Sequence, residues 1–172
     1  MRFDTIVIGG GWAGCTAAEE QVLAGKKVCV VSEGLSLSAV SYDSPYSRLA
    51  ALQKHGATIL RGDRAVSAKI EAGRVKEIRT RNLDLPLEAD EYILATGKFF
   101  SRGLLSDKDH IWEPVFGADV EYDQDRTKWF DPDFEAPQPF MKFGVKTDAE
   151  GRVIVGGRTI VNLTAVGGIR NE

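Results

Sequence analysis

The chain has 172 residues, 43% of them hydrophobic and 27% charged, with a formal net charge of −3. That length can bury the core of one domain, and no apolar run approaches the roughly 20 residues that a membrane-spanning helix needs. The charge argues against a nucleic-acid footprint, because the arginine-containing stretches "RTRN" and "GDRA" are short and flanked by acids.

The opening "MRFDTIVIGG" lacks the apolar stretch and small residues of a cleavable signal, so a cytoplasmic setting is expected. Phe3 to Ile8 reads as a strand covered on both faces. From Ala13 to Ala24, Ala17, Ala18, Val22 and Leu23 recur at helical spacing, and Gly25 stands where a helix stop belongs. "KKVCVVSEG" gives a second buried strand, Val28 to Val31, which completes a βαβ start. Cys15 and Cys29 fall in these elements as small buried hydrophobes. "LSLSAVSYDSPYS" reads as a connection, and a short helix around Leu49 and Leu52 then ends at Gly56, followed by a strand from Ala57 to Leu60. Two alternating segments around Glu71 to Gly73 predict a β-hairpin. "DEYILATG" supplies another buried strand, Tyr92 to Ala95, entering a turn at Gly97. The text from there to about Phe143 is irregular and aromatic, as in a small β-rich subdomain. Of Phe99, Phe100, Trp112, Trp129, Phe130, Phe134, Phe140 and Phe143, most are expected to pack that subdomain. "VIVGGRTIVNLTAVGG" closes with a pair of strands. His55 and His110 have no partners at ligand spacing, so no metal site is expected.

The strongest chemical signal is "GGGWAG", where Gly9, Gly11 and Gly14 satisfy G-x-G-x-x-G with Trp12 and Ala13 between them. One glycine permits the tight turn, the next lets a pyrophosphate approach the backbone, and the third lets helix and sheet pack closely. The positive helix end then faces the phosphates. In its strand–turn–helix–strand setting the motif predicts a dinucleotide site. An acid usually ends the second strand to hold a ribose; here Ser32 has that place and Glu33 follows, on the opposite face unless the strand has bent.

"YILATG", with Ala95, Thr96 and Gly97, resembles the A-T-G segment of two-dinucleotide-fold flavoproteins, in which a preceding hairpin is also usual. "NLTAVGG", with Gly167 and Gly168, resembles their closing strand, with Gly168 where an aspartate is common. The stretches "ATGKFFSRGL", "WEPVFGADV", "FEAPQPFMKFGVKTD" and "VNLTAVG", with the opening "MRFDTIVIGGGWAG", are similar in order to the B-type subunit of anaerobic glycerol-3-phosphate dehydrogenase. The resemblance implies a single Rossmann-like α/β domain over residues 1–172. Its parts are a βαβ start at 1–34, helix, strand, hairpin and A-T-G strand at 46–97, a β-rich subdomain at 98–150, and closing strands at 151–172, around a central parallel sheet.

It further implies an FAD-dependent subunit that oxidises glycerol 3-phosphate, or a similar small anion, to dihydroxyacetone phosphate. Electrons would pass to a quinone through partner dehydrogenase and iron–sulfur subunits, with the chain cytoplasmic or peripheral at the membrane. FAD is expected over FMN because the turn suits a dinucleotide. Lys98 and Arg102, after the A-T-G turn, are candidates for holding the anion; no catalytic base is named. The family's large middle region and the helix after its closing strand have no counterpart here. A shortened, non-catalytic module that binds no flavin is therefore a second reading, an NAD(P)-binding dehydrogenase domain a third, and an exposed apolar crevice favouring self-association a further expectation.

Overall fold

Ile6 and Val7 are adjacent and both fully buried, which a strand permits only when both of its faces are covered. The computed structural model of the chain describes residues 1–34 and 45–171, and within them β1 (Arg2–Ile8) runs through the middle of the molecule. The serine-rich connection at 35–44 lies outside the described residues.

After β1 come α1 (Trp12–Leu23), β2 (Val28–Ser32), α2 (Pro45–Lys54) and β3 (Thr58–Arg61). The hairpin follows as β4 (Ala65–Glu71) and β5 (Arg74–Thr80), and β6 (Glu88–Leu94) returns to the sheet. The irregular stretch holds two-residue strands β7 (Leu105–Ser106), β8 (Ile111–Trp112), β9 (Val120–Glu121) and β10 (Gly144–Val145), with short 3-10 turns between them. β11 (Arg152–Val155) and β12 (Arg158–Ala165) end the sheet, whose order is β11-β12-β6-β1-β2-β3. Every pairing in it is parallel except the β11–β12 edge.

The period of two along the strands divides the core into two layers. Val7, Val28, Val30 and Ile93 face one side, where Cys15, Ala17 and Ala18 of α1 and Leu49 and Leu52 of α2 cover them. Ile6, Ile8, Cys29, Val31, Tyr92 and Leu94 face the other, under the hairpin and the irregular stretch. The irregular stretch therefore shares the sheet's core, into which it sends Leu104, Ile111, Phe116, Trp129 and Phe143. Burial pushes the Cys29 thiol up to about 12, with the Asp63 charge adding in the same direction, and it raises the Cys15 thiol as well.

Local chemistry fixes the ends. α1 stops in a Schellman arrangement: Lys26 N–H donates to the Gln21 carbonyl and Gly25 N–H to that of Val22, with Gly25 at φ +78°. The hairpin turns through Ala72 and Gly73, both left-handed at φ +51° and +72°, as the twist of two tightly joined strands requires. It is fastened to the sheet by Asn162, fully buried in β12. The Asn162 oxygen accepts from Val75 N–H at 2.8 Å, and its amide donates to the carbonyls of Val75 at 3.0 Å and Asp90 at 3.1 Å.

Two expectations are corrected. β6 begins at Glu88, four residues before the hydrophobic run, because its polar first half still pairs with β1 from Arg2 onward. Of the eight aromatic residues expected mostly to pack, Trp129 and Phe143 are buried and Phe99 and Phe140 partly so, whereas Phe100, Trp112, Phe130 and Phe134 are exposed.

Candidate functional site

β1 lies between β2 and β6, so the chain goes to one side after its first strand and to the other after β5. A parallel sheet leaves a crevice beyond its carboxyl edge at such a reversal. There the structure has a cleft of about 860 Å³. Its base is Ile8 to Ala13, the glycine turn and the first residues of α1. Ser32, Glu33 and the Asp63–Val66 segment form one side; Ala95–Gly97 and Phe100–Arg102 form the other. Val115, Val166 and Gly168 also line it.

The three motif glycines have separate reasons. Gly9 is left-handed at φ +111°, and a Cβ there would fall on the Ala95 carbonyl. A Cβ on Gly14 would overlap the Gly9 carbonyl, so these two hold helix, turn and β6 in contact. At Gly11 a Cβ would meet nothing within 4 Å, because it faces the open cleft. Gly11 is also the N-cap of α1, without a side-chain cap, and the first turn holds no acid. Its backbone N–H groups are thereby left to an anion.

The A-T-G turn folds back on itself. Gly97 is left-handed at φ +70°, and Gly103 packs so closely that a Cβ would overlap the Gly97 carbonyl. Ser101 hydroxyl donates to the Thr96 carbonyl at 2.5 Å. The Thr96 hydroxyl is buried and has no hydrogen-bond partner among the described residues, although Thr96 lines the cleft. Its oxygen lies beside Gly103, where a Cβ would be 2.8 Å from it.

β2 ends at Ser32, and Glu33, just past it, leaves the strand's alternation and lines the cleft together with Ser32. Its Oε1 is 3.2 Å from an Arg102 guanidinium nitrogen and 3.5 Å from one of Arg64. The structure thus brings together Gly9, Gly11, Trp12, Ala13, Ser32, Glu33, Ala95, Thr96, Gly97, Arg102 and Gly168. Gly14 acts behind the lining by packing. Gly167, at φ +70°, sets its Cα against Ala13, where a Cβ would lie 2.5 Å from the Ala13 methyl. Lys98 is engaged elsewhere: its ammonium donates to the carbonyls of Phe143 at 2.6 Å and Arg170 at 2.9 Å.

Sequence reasoning missed two walls. The Asp63–Val66 segment could have been found from the rule that parallel strands present ligands past their carboxyl ends, since β3 neighbours β2. Asp63, itself buried, shapes this wall by accepting from the N–H groups of Arg64 at 2.7 Å and Asn82 at 3.1 Å. The Pro114–Val115 wall has no local signal. It is held by Glu113, 2% exposed, whose carboxylate accepts from the N–H groups of Val115 and Phe116, both at 2.8 Å, and of Ala118 at 3.3 Å.

Burial raises the Glu113 carboxyl above the ordinary 4.5, against the lowering effect of those backbone donors. The native state therefore holds the proton longer than the unfolded chain, and this contribution to stability is full below 4.5 and lost as pH rises through the raised value. Glu113→Gln, which turns an amide donor toward N–H groups, is expected to cost about 1–3 kcal/mol. Denaturant titrations at several pH values should show the wild-type advantage shrinking as pH rises above 4.5; an advantage that grows would contradict this placement.

The sequence matches the family model described as FAD binding domain over residues 4–44 and 45–171. It is 40% identical over 114 residues to the B-type subunit of anaerobic glycerol-3-phosphate dehydrogenase from Pectobacterium carotovorum subsp. carotovorum (strain PC1), a match covering 66% of this chain and 27% of that relative. To the protein of that name from Actinobacillus succinogenes it is 41% identical over 123 residues, 68% of this chain and 29% of the relative. The chain thus spans little more than a quarter of the length of the curated relatives it matches. Among solved structures, the FAD-dependent myxobacterial halogenase CndH is similar over 56% of this chain and 37% of its own, at 18% identity and a TM-score of 0.46.

Proposed function

The chain belongs to the FAD binding domain family, and from that premise we propose that it is the nucleotide-holding part of a flavin-dependent oxidoreductase resembling the B-type subunit of anaerobic glycerol-3-phosphate dehydrogenase. The observation that carries this reading is the glycine turn: it stands at the carboxyl edge of β1, open at Gly11, under an uncapped helix end.

The described residues fit FAD by the open face at Gly11 and by the uncapped amides at the start of α1. Gly9 and Gly11, with the first amides of α1 at Trp12 and Ala13, would hold the diphosphate. Ser32 and Glu33 would take the adenosine ribose, and Ala95–Gly97 with Gly168 would flank the remainder of the cofactor. Gly14 and Gly167 serve by letting the backbone close up. When bound, FAD supplies the redox chemistry, and this chain's residues bind, orient and screen it from water. Of the carboxylates in the lining, Glu33 is held by two guanidiniums and Asp63 by two backbone N–H groups, so neither is assigned as a base.

The proposed substrate is glycerol 3-phosphate, with dihydroxyacetone phosphate as product and electrons leaving toward a quinone through partner dehydrogenase and iron–sulfur subunits. Among the described residues no helix is long and apolar enough to cross a membrane. A cytoplasmic place, peripheral to the membrane through those partners, completes the proposal. Anaerobic addition of glycerol 3-phosphate to the FAD-loaded chain is expected to bleach the visible flavin bands. Bands that stay unchanged, while dithionite still bleaches them, would exclude this substrate for the chain.

A further inference from the structure

Glu33 ends one side of the cleft and Arg102 stands on the other, with β1 and its glycine turn between them in the sheet. Their side chains nevertheless meet: an Arg102 guanidinium nitrogen is 3.2 Å from Glu33 Oε1, across a sequence separation of 69. Arg64 approaches the same oxygen at 3.5 Å. Arg102 is one of only two non-glycine residues with positive φ among those described, at +61°. That conformation closes a turn in which Arg102 N–H donates to the Phe99 carbonyl and Gly103 N–H to that of Lys98. A left-handed corner therefore carries a long, 62% exposed cation across to the carboxylate on the other side of the cleft.

We propose that Arg102 is a strap: it holds Glu33 across the cleft and competes with the ribose hydroxyls of an incoming nucleotide for that carboxylate. The proposal rests on the dinucleotide reading of the cleft. A carboxylate receives a vicinal diol through its lone pairs, and those of Oε1 already face two guanidiniums. A diol that takes both carboxylate oxygens must displace Arg102 from Oε1 or share that oxygen with it. Because the pair is exposed, the competition is small, and releasing it is worth about two- to fivefold in affinity.

The sign separates the strap from the simpler reading in which Arg102 holds an anion. An anion holder, when removed, weakens binding; a strap, when removed, strengthens it. The experiment is calorimetric titration of the full chain with ADP, and with inorganic pyrophosphate as the ribose-free control, using wild type, Arg102→Gln, Glu33→Gln and the double variant. Arg102→Gln is expected to bind ADP about two- to fivefold more tightly. That gain should vanish in the Glu33→Gln background and be absent with pyrophosphate. Wild-type ADP binding with an unchanged or weaker Arg102→Gln overturns the strap and leaves the cleft reading standing. A gain that survives in the double variant overturns it as well, because Glu33 would then play no part. Failure of every variant to bind ADP overturns the cleft reading, and the strap with it.

Discussion

Replacing Gly11 by aspartate is expected to abolish FAD retention, a loss of about 100-fold or more in affinity, with a melting temperature unchanged or slightly raised, because aspartate caps the helix end that glycine leaves uncapped. Gly11 has a negative φ of −80° and open space where its Cβ would lie, so the new side chain strains nothing in the protein. As the N-cap of α1 its carboxylate would accept from the first N–H groups of the helix, the donors a diphosphate needs, and its charge opposes the diphosphate. The neighbouring glycines behave differently. A Cβ on Gly9 or Gly14 meets backbone carbonyls, so alanine at either position should lower stability and binding together. Thermal melts and flavin titrations of the three variants check the distinction. If Gly11→Asp melts early or keeps its FAD, the open face is not the diphosphate site.

Asn162→Leu should be the most destabilising conservative change, about 2–4 kcal/mol, or roughly 5–15 °C in melting temperature for a chain of this size. Leucine matches the volume but takes the fully buried Asn162 acceptor from Val75 N–H and its amide donor from the carbonyls of Val75 and Asp90, of which that of Asp90 keeps a second donor, Arg74 at 3.1 Å. The hairpin is tied to the sheet at this point, so faster hydrogen exchange should be concentrated in β4 and β5. Tyr92 makes a second tie: its hydroxyl donates to the Lys76 carbonyl at 3.1 Å and accepts from Ala89 N–H at 2.9 Å. A loss under about 0.5 kcal/mol would mean that the hairpin is held by apolar packing rather than by these bonds.

The parts legible in the sequence were those specified by neighbouring residues. The glycine turn, α1 with its Gly25 stop, and the Ala72–Gly73 hairpin each depend on backbone conformations that a few adjacent residues dictate. The continuous hydrophobic runs of β1 and β2 announced burial on both faces. What stayed hidden depends on distant contacts. The polar first half of β6 is a strand because β1 pairs with it. Lys98 looks like an anion holder beside the A-T-G turn, yet its ammonium meets carbonyls 45 and 72 residues further on. Glu33 could not be given a face until the end of β2 was known, and its two arginine partners come from separate loops. The exposed aromatic residues of the irregular stretch, such as Phe100 and Phe134, have the same composition signal as the buried Trp129 and Phe143, and topology alone separates them.

The most direct test of the central claim is the visible absorption spectrum of the purified chain after FAD is added and the excess removed. Flavin bands that remain at about one FAD per chain, and that ADP in excess displaces, are the predicted result. A colourless protein under saturating FAD, with its folded melting transition intact, would contradict the account: the fold would stand without the cofactor for which its glycine turn is shaped.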